Sequence, residues 1–159
     1  MKKTKNKPFW LYFIGVFLVL IALSAGIYAF FVAAVRPHQE AEKQAIKTAK
    51  EYVDFASVTD FQQYNGKEVF YTVFGKNDAG EQLMVAISKK HQGQVYIYKD
   101  DQGISARQAE AVAKKEGAHK VEQITFGIVN GSAIWEVHAD SAYYLIDFET
   151  GQFIKKEGL

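Results

Sequence analysis

Four histidines, His38, His91, His119 and His138, are the side chains best suited to hold a metal, and the chain has no cysteine to join them. No two stand at the spacing that brings ligands onto one ion, so no metal site is expected. Without Cys there is also no thiol nucleophile. Ser24, Ser57, Ser88, Ser105, Ser132 and Ser141 lie in neither a Gly-x-Ser-x-Gly elbow nor a Ser-x-x-Lys context. The glycines fall between apolar runs, where hairpins turn, and none opens a phosphate-cradling loop. Asp100-Asp101 is an adjacent carboxylate pair beside Gly103. Hydrolytic acid–base work needs two carboxylates converging in a pocket, and a solvated turn is the expected setting for this pair. The expectation is therefore no catalytic residue, no cofactor and no enzyme.

What the residue types offer instead is recognition. Tyr96, Tyr98, Trp135, Tyr143 and Tyr144 are candidate partner-binding rings, from a wider set that includes Phe70, Tyr71 and Phe74 on another expected strand and Phe148 beside Tyr143 and Tyr144. Tyr and Trp carry much of the energy at protein interfaces. Neighbours along a strand point to opposite faces. A helix covers one face of a small sheet, so some of these rings must meet solvent, a second domain or a partner. A different recognition surface lies at Ala22, Ala25, Gly26, Ala29 and Ala33, spaced by three, four or seven residues. On a helix they share a face, and such a face lets another membrane helix approach closely.

The element that would carry that face runs from Phe9 to Val35 and contains no Asp, Glu, Lys, Arg, His, Asn or Gln. About 20 apolar residues span a bilayer core, so this run is a membrane helix with room to tilt. A cleaved export signal is the rival reading, but its apolar region is shorter. Lys2, Lys3, Lys5 and Lys7 precede the run without an acid among them, while Glu40 and Glu42 follow it. Positive charge stays inside, which predicts a single-pass cell-membrane protein with a cytoplasmic N-terminus and an extracellular remainder. From His38 onward there are 14 Lys and Arg against 18 Asp and Glu, a net of −4. The near-neutral total of +1 thus hides a basic tail, suited to anionic lipid, and a mildly acidic outer part. Such a balance argues against nucleic acid as a partner. Without disulfides, the outer part must be held by burial and strand pairing.

Pro37 disfavours helical geometry at Arg36, so the membrane helix is expected to end or kink there. Ala41, Ala45, Thr48, Ala49, Tyr52, Phe55 and Ala56 then recur at helical spacing. Val58–Gly66 reads as irregular. Lys67–Phe74, Leu83–Ser88 and Val95–Lys99 read as three strands joined by glycine turns. Ser105 with Gln108 has the spacing of a capping box and opens a second helix, which Gly117 should close. Val121–Val129, Ala133–Ala139, Tyr143–Phe148 and Gln152–Lys155 read as strands again, with Asn130-Gly131 as a strong hairpin signal. A helix followed by antiparallel strands therefore occurs twice, with a period of about 55–60 residues. The predicted class is α+β: a membrane helix, then two copies of a helix laid on an antiparallel sheet.

The second copy resembles a PepSY domain. The matching residues are Ile104-Ser105-Ala106-Arg107-Gln108-Ala109, Ala133-Ile134-Trp135-Glu136-Val137, and Tyr144 to Ile154 with the turn Asp147-x-x-Thr150-Gly151. In that turn Asp147 can accept backbone amides and Gly151 supplies backbone freedom. With the basic tail and single anchor, the whole chain resembles the TseB-like (YpmB-like) cell wall elongation regulators of Gram-positive bacteria. The resemblance implies two cystatin-like (PepSY-like) domains, at 37–100 and 101–159, after a tail at 1–8 and an anchor at 9–36. It implies regulation of cell wall elongation by binding a class B penicillin-binding transpeptidase. The first copy lacks the Asp-x-x-Thr-Gly turn. Two other readings stand beside this one: a PepSY-type inhibitor of an extracellular peptidase, and an envelope sensor or spacer.

Overall fold

The computed structural model describes residues 10–91 and 93–158, so the basic tail lies outside the described residues. Two α-helices, one short 3-10 turn (Asp100–Gln102, between β4 and α2) and eight strands follow in the order α1 (Trp10–Tyr52), β1 (Ser57–Asn65), β2 (Val69–Lys76), β3 (Gln82–Ser88), β4 (Val95–Lys99), α2 (Ala106–Lys115), β5 (Val121–Val129), β6 (Ser132–Ala139), β7 (Ala142–Asp147) and β8 (Phe153–Gly158). The architecture is α+β, with an N-terminal apolar helix and two antiparallel sheets ordered β1-β2-β3-β4 and β5-β6-β7-β8. Every strand in a sheet pairs with the next in sequence, as the hairpin turns predict.

The chain divides into two compact units, Met1–Ala41 and Glu42–Leu159. The first holds the apolar part of α1. Its large side chains stand uncovered: Phe17 is 63% exposed and Phe30 78%. Each such ring left in water forgoes about 1.5–3 kcal/mol of burial. A run this long and bare fits a membrane anchor. Ala22, Ala25, Gly26, Ala29 and Ala33 all lie on it and are exposed.

The expected end of the helix at Arg36 is corrected: α1 continues through Pro37 to Tyr52 as one 43-residue helix. Proline removes one N–H from the ladder, and the bonds of the turns on either side suffice to carry the helix past it. The stretch expected to be irregular at 58–66 is also corrected, because it forms β1. Its pairing with β2 is interrupted by a bulge between Val58 and Asp60, which breaks the alternation that would have marked it as a strand.

In the second unit, Ala45 and Ala49 of α1 pack on Val73, Val85 and Ile87 of sheet 1. The opposite face of that sheet, through Phe70, Met84 and Ala86, joins a larger core with α2 and sheet 2. Sheet 1 is thus covered on both sides, by a helix and by sheet 2. At α2 the capping box forms: Gln108 N–H donates to Ser105 Oγ (3.3 Å) and Ser105 N–H to Gln108 Oε1 (2.8 Å). Gly117 closes the helix with φ +97°. Ser105→Ala should cost about 1 kcal/mol, read as a lower urea midpoint. Asn130-Gly131 and Asp140-Ser141 both turn with two positive φ angles, the geometry of a two-residue hairpin. The Asp140 carboxylate also accepts the His119 and Lys120 amides (2.6 and 3.1 Å), which holds it below the usual carboxylate range.

Candidate functional site

Sheet 2 has two chemically different faces. On one, Trp135 Nε1–H donates to Ile104 O at the entry to α2 (2.7 Å), and Ile104 N–H donates to Phe148 O (2.7 Å). On the other, Thr125, Ile134, Glu136 and Leu145 line an open groove of about 1500 Å³. Further walls come from Gln63–Glu68 and Phe70, from Gln94 and the neighbouring Tyr96 of β4, and from Lys155 and Glu157 of β8.

Two contacts between the edge strands β1 and β5 fix this groove. Phe126 N–H, which points out of β5, donates to Gln62 Oε1 of β1 (3.0 Å). Two residues on along β1 and one along β5, the Tyr64 ring lies against Gly127, where an added Cβ would stand 2.4 Å from Tyr64 Cγ. Behind the groove the two sheets are joined by rings. Phe126 meets Trp135 at 5.2 Å, Phe148 at 5.3 Å, Tyr98 at 5.8 Å and Phe74 at 6.3 Å, all edge to face. That geometry aims positive ring edges at negative ring faces.

The electrostatics of the floor are unusual for a solvated sheet face. Glu136 is half-buried, and burial, then Glu157, push its carboxyl above the ordinary range, while His138 opposes the shift. No described residue donates a hydrogen bond to the Glu136 carboxylate. Glu157 is paired with Lys155. The Tyr64 hydroxyl is pushed up to about 12 by burial first, then by Glu136 and Glu157. The groove therefore offers an unshared carboxylate, a phenol and several side-chain amides, a set that accepts and donates hydrogen bonds. Among the described residues no three His, Asp or Glu side chains converge as metal ligands.

Because the folded Glu136 binds its proton more tightly than the unfolded chain does, stability is fullest below the ordinary Glu value of about 4.3 and is lost as pH rises through the folded value. Glu136→Gln should remove that loss. The variant is expected to melt higher than the parent at neutral pH, with the difference vanishing in acid. Thermal melts across pH check this.

The five candidate rings are not brought together. Tyr96 lines the groove and accepts from Gln94 Nε2 (2.7 Å). Tyr143 also lines it and stacks on His138 at 4.5 Å. Burial takes the others away from a free surface. Trp135 is 4% exposed and Tyr144 is fully buried, while Tyr98 lies half-buried against Phe126 and Phe148. The reason is the second covering of sheet 1 and the α2 side of sheet 2, which absorb rings that one helix per sheet would have left over. The turn residues do form one unit: Asp147 Oδ1 accepts from Thr150 N–H and from Thr150 Oγ1 (both 2.7 Å), and Gly151 turns at φ +72°. Sequence reasoning missed Tyr64, Gln62 and Glu136. Gly127, alone inside an apolar strand, was the available signal, since such a glycine marks a close approach of other atoms.

Three comparisons bear on this chain. The cell wall elongation regulator TseB-like domain matches residues 44–88, from the packed end of α1 through β3. The Bacillus subtilis (strain 168) protein named "Probable cell wall elongation regulator TseB" is 28% identical over 146 residues, covering 88% of this chain and 89% of that protein. The solved structure of the YpmB protein from Bacillus subtilis superposes with a TM-score of 0.67 at 25% identity, covering 74% of this chain and 96% of that one. The domain match falls on α1 and sheet 1, whereas the motifs resembling PepSY fall on α2 and sheet 2.

Proposed function

The chain resembles the TseB-like cell wall elongation regulators along most of its length, and from that premise we propose that it is a membrane-anchored, non-catalytic module that regulates wall elongation by binding a class B penicillin-binding transpeptidase outside the membrane. The observation that carries this reading is the extent of the similarity to a regulator-named protein, 88% of this chain. The bare apolar half of α1 supports the anchor. The lysines before it, against Glu40 and Glu42 after it, support a cytoplasmic N-terminus. Two meanders of identical strand order, each preceded by a helix, support two cystatin-like (PepSY-like) domains at 37–100 and 101–159. The face of Ala22, Ala25, Gly26, Ala29 and Ala33 would pack on the partner's membrane helix, and Tyr96 and Tyr143 would meet its outer domain. Confinement to one bilayer raises the effective concentration, so a weak contact suffices.

The test is in-cell crosslinking and capture, comparing the intact chain with one whose residues 10–33 are replaced by an unrelated membrane helix. Recovery of a transpeptidase with both forms supports recognition by the outer domains; recovery with the intact form alone supports the helix face. Recovery of a peptidase, or of neither enzyme, overturns the proposal. The groove favours a second reading, a sensor of an envelope ligand, because its polar groups converge on open space.

A further inference from the structure

The two sheets have four edges, and three are protected. β1 and β5 face each other through the Gln62–Phe126 bond, and each carries a bulge. β8 carries Lys155 and Lys156, and its pairing with β7 is broken by an irregularity between Leu145 and Ile146. Such devices keep edges from pairing with other chains. β4 carries a single charge, Lys99 at its end, and no bulge: its register with β3 is continuous from Val95 to Lys99.

The direction of the β4 backbone groups follows from one bond. Ser88 N–H donates to Gln94 O (3.0 Å), so Gln94 is hydrogen-bonded to β3. Bonded pairs alternate in antiparallel sheets, so Tyr96 and Tyr98 also bond to β3, while Val95, Ile97 and Lys99 turn their N–H and C=O outward. Lys99 fits this pattern, because its N–H donates to Gln102 Oε1 instead (2.8 Å). Among the described residues no hydrogen bond reaches the outward groups of Val95 and Ile97, and Ile97 is 45% exposed.

We propose that β4 pairs with β4 of a second copy of this chain, antiparallel, about a two-fold axis at Tyr96. This register pairs the free groups with each other and leaves the capped one out: Val95 of each copy bonds Ile97 of the other. It sets Val95 and Ile97 of both copies side by side as one apolar strip, and Tyr96 against Tyr96 on the opposite face. Gln94 meets Tyr98, and no charge meets a like charge. A five-residue strand pair buries less than the roughly 1,200 Å² of a stable free dimer, so the pairing is expected at high local concentration.

The absence of cysteine makes the test clean. The full chain in detergent micelles carries Tyr96→Cys, with Glu149→Cys as the control for random collision. Directly opposed residues that are not hydrogen-bonded to each other have Cα atoms about 4.5 Å apart, within disulfide reach. Mild oxidation should give several-fold more disulfide dimer with Tyr96→Cys than with the control. Adding Ile97→Pro should abolish the excess, since it removes an outward N–H and leaves the β3 bonds intact. Hydrogen exchange gives a second readout on the unsubstituted chain: the Val95 and Ile97 amides should be protected when concentrated and lose protection on dilution. Dimer no greater than the control, an excess that survives Ile97→Pro, or amides that exchange alike at both concentrations overturns the pairing.

Discussion

Phe126→Ala should lower the stability of the second unit by about 3–5 kcal/mol, the range for truncating a buried aromatic. Phe126 is fully buried and touches four other rings, two of them, Phe74 and Tyr98, on sheet 1. The loss is therefore not confined to one sheet. Removing the ring deletes its transfer free energy and opens a cavity at the joint, where neither sheet can collapse without disturbing the Gln62 bond. Trp135, at 5.2 Å, reports the change directly. Its fluorescence should shift toward that of a wetter indole, and the urea midpoint should fall. An unchanged midpoint would show that the sheets are joined elsewhere.

Gly127→Val should be nearly as damaging for the opposite reason. Its Cβ would fall 2.4 Å from Tyr64 Cγ and 2.6 Å from Tyr64 Cδ2. Those atoms are the root of the ring, so Tyr64 cannot swing aside without shifting β1. Overpacking of this kind typically costs about 1–3 kcal/mol, and Val adds two more carbons than Ala. The φ of Gly127 is not positive, so the effect is steric and not a matter of backbone freedom. A double-mutant cycle separates the two: in a Tyr64→Ala background, Gly127→Ala should cost almost nothing. Were it to cost as much as in the parent, the close approach would not be its cause.

How far the fold was legible depended on how local its signals were. Sheet 2 could be read strand by strand, because Asn130-Gly131 and the Asp147–Gly151 turn mark its hairpins and its strands carry their own apolar residues. α2 could be read from Ser105 and Gln108, two residues three positions apart that satisfy each other. β1 could not. Its residues, Ser57 to Asn65, are mostly polar, and their partners, Phe126 and Gly127, lie more than sixty positions away. Pro37 misled because one lost N–H is a local penalty, while the continuation of α1 is set by the apolar run before it and by Ala45 and Ala49 packing on sheet 1 after it. The groove was invisible for the same reason as β1: its walls belong to different halves. The excess of aromatic rings was visible, but which rings stay uncovered is decided by the second covering of sheet 1.

The Gln62–Phe126 bond also sets an order of assembly. Each sheet is a meander of neighbours in sequence, so its contacts are local and can form quickly. The joint between the sheets links residues 64 positions apart and must close a long loop first. As the chain emerges from its N-terminus, β1 to β4 can pair while Phe70, Phe74 and Met84 stay bare, and they are covered only once β5 is present. Docking is then the late step, and contacts formed late act mainly on the rate of leaving the native state. Gln62→Ala and Phe126→Ala should speed unfolding far more than they slow folding, so the joint that shapes the groove is also the latch that sets the protein's lifetime.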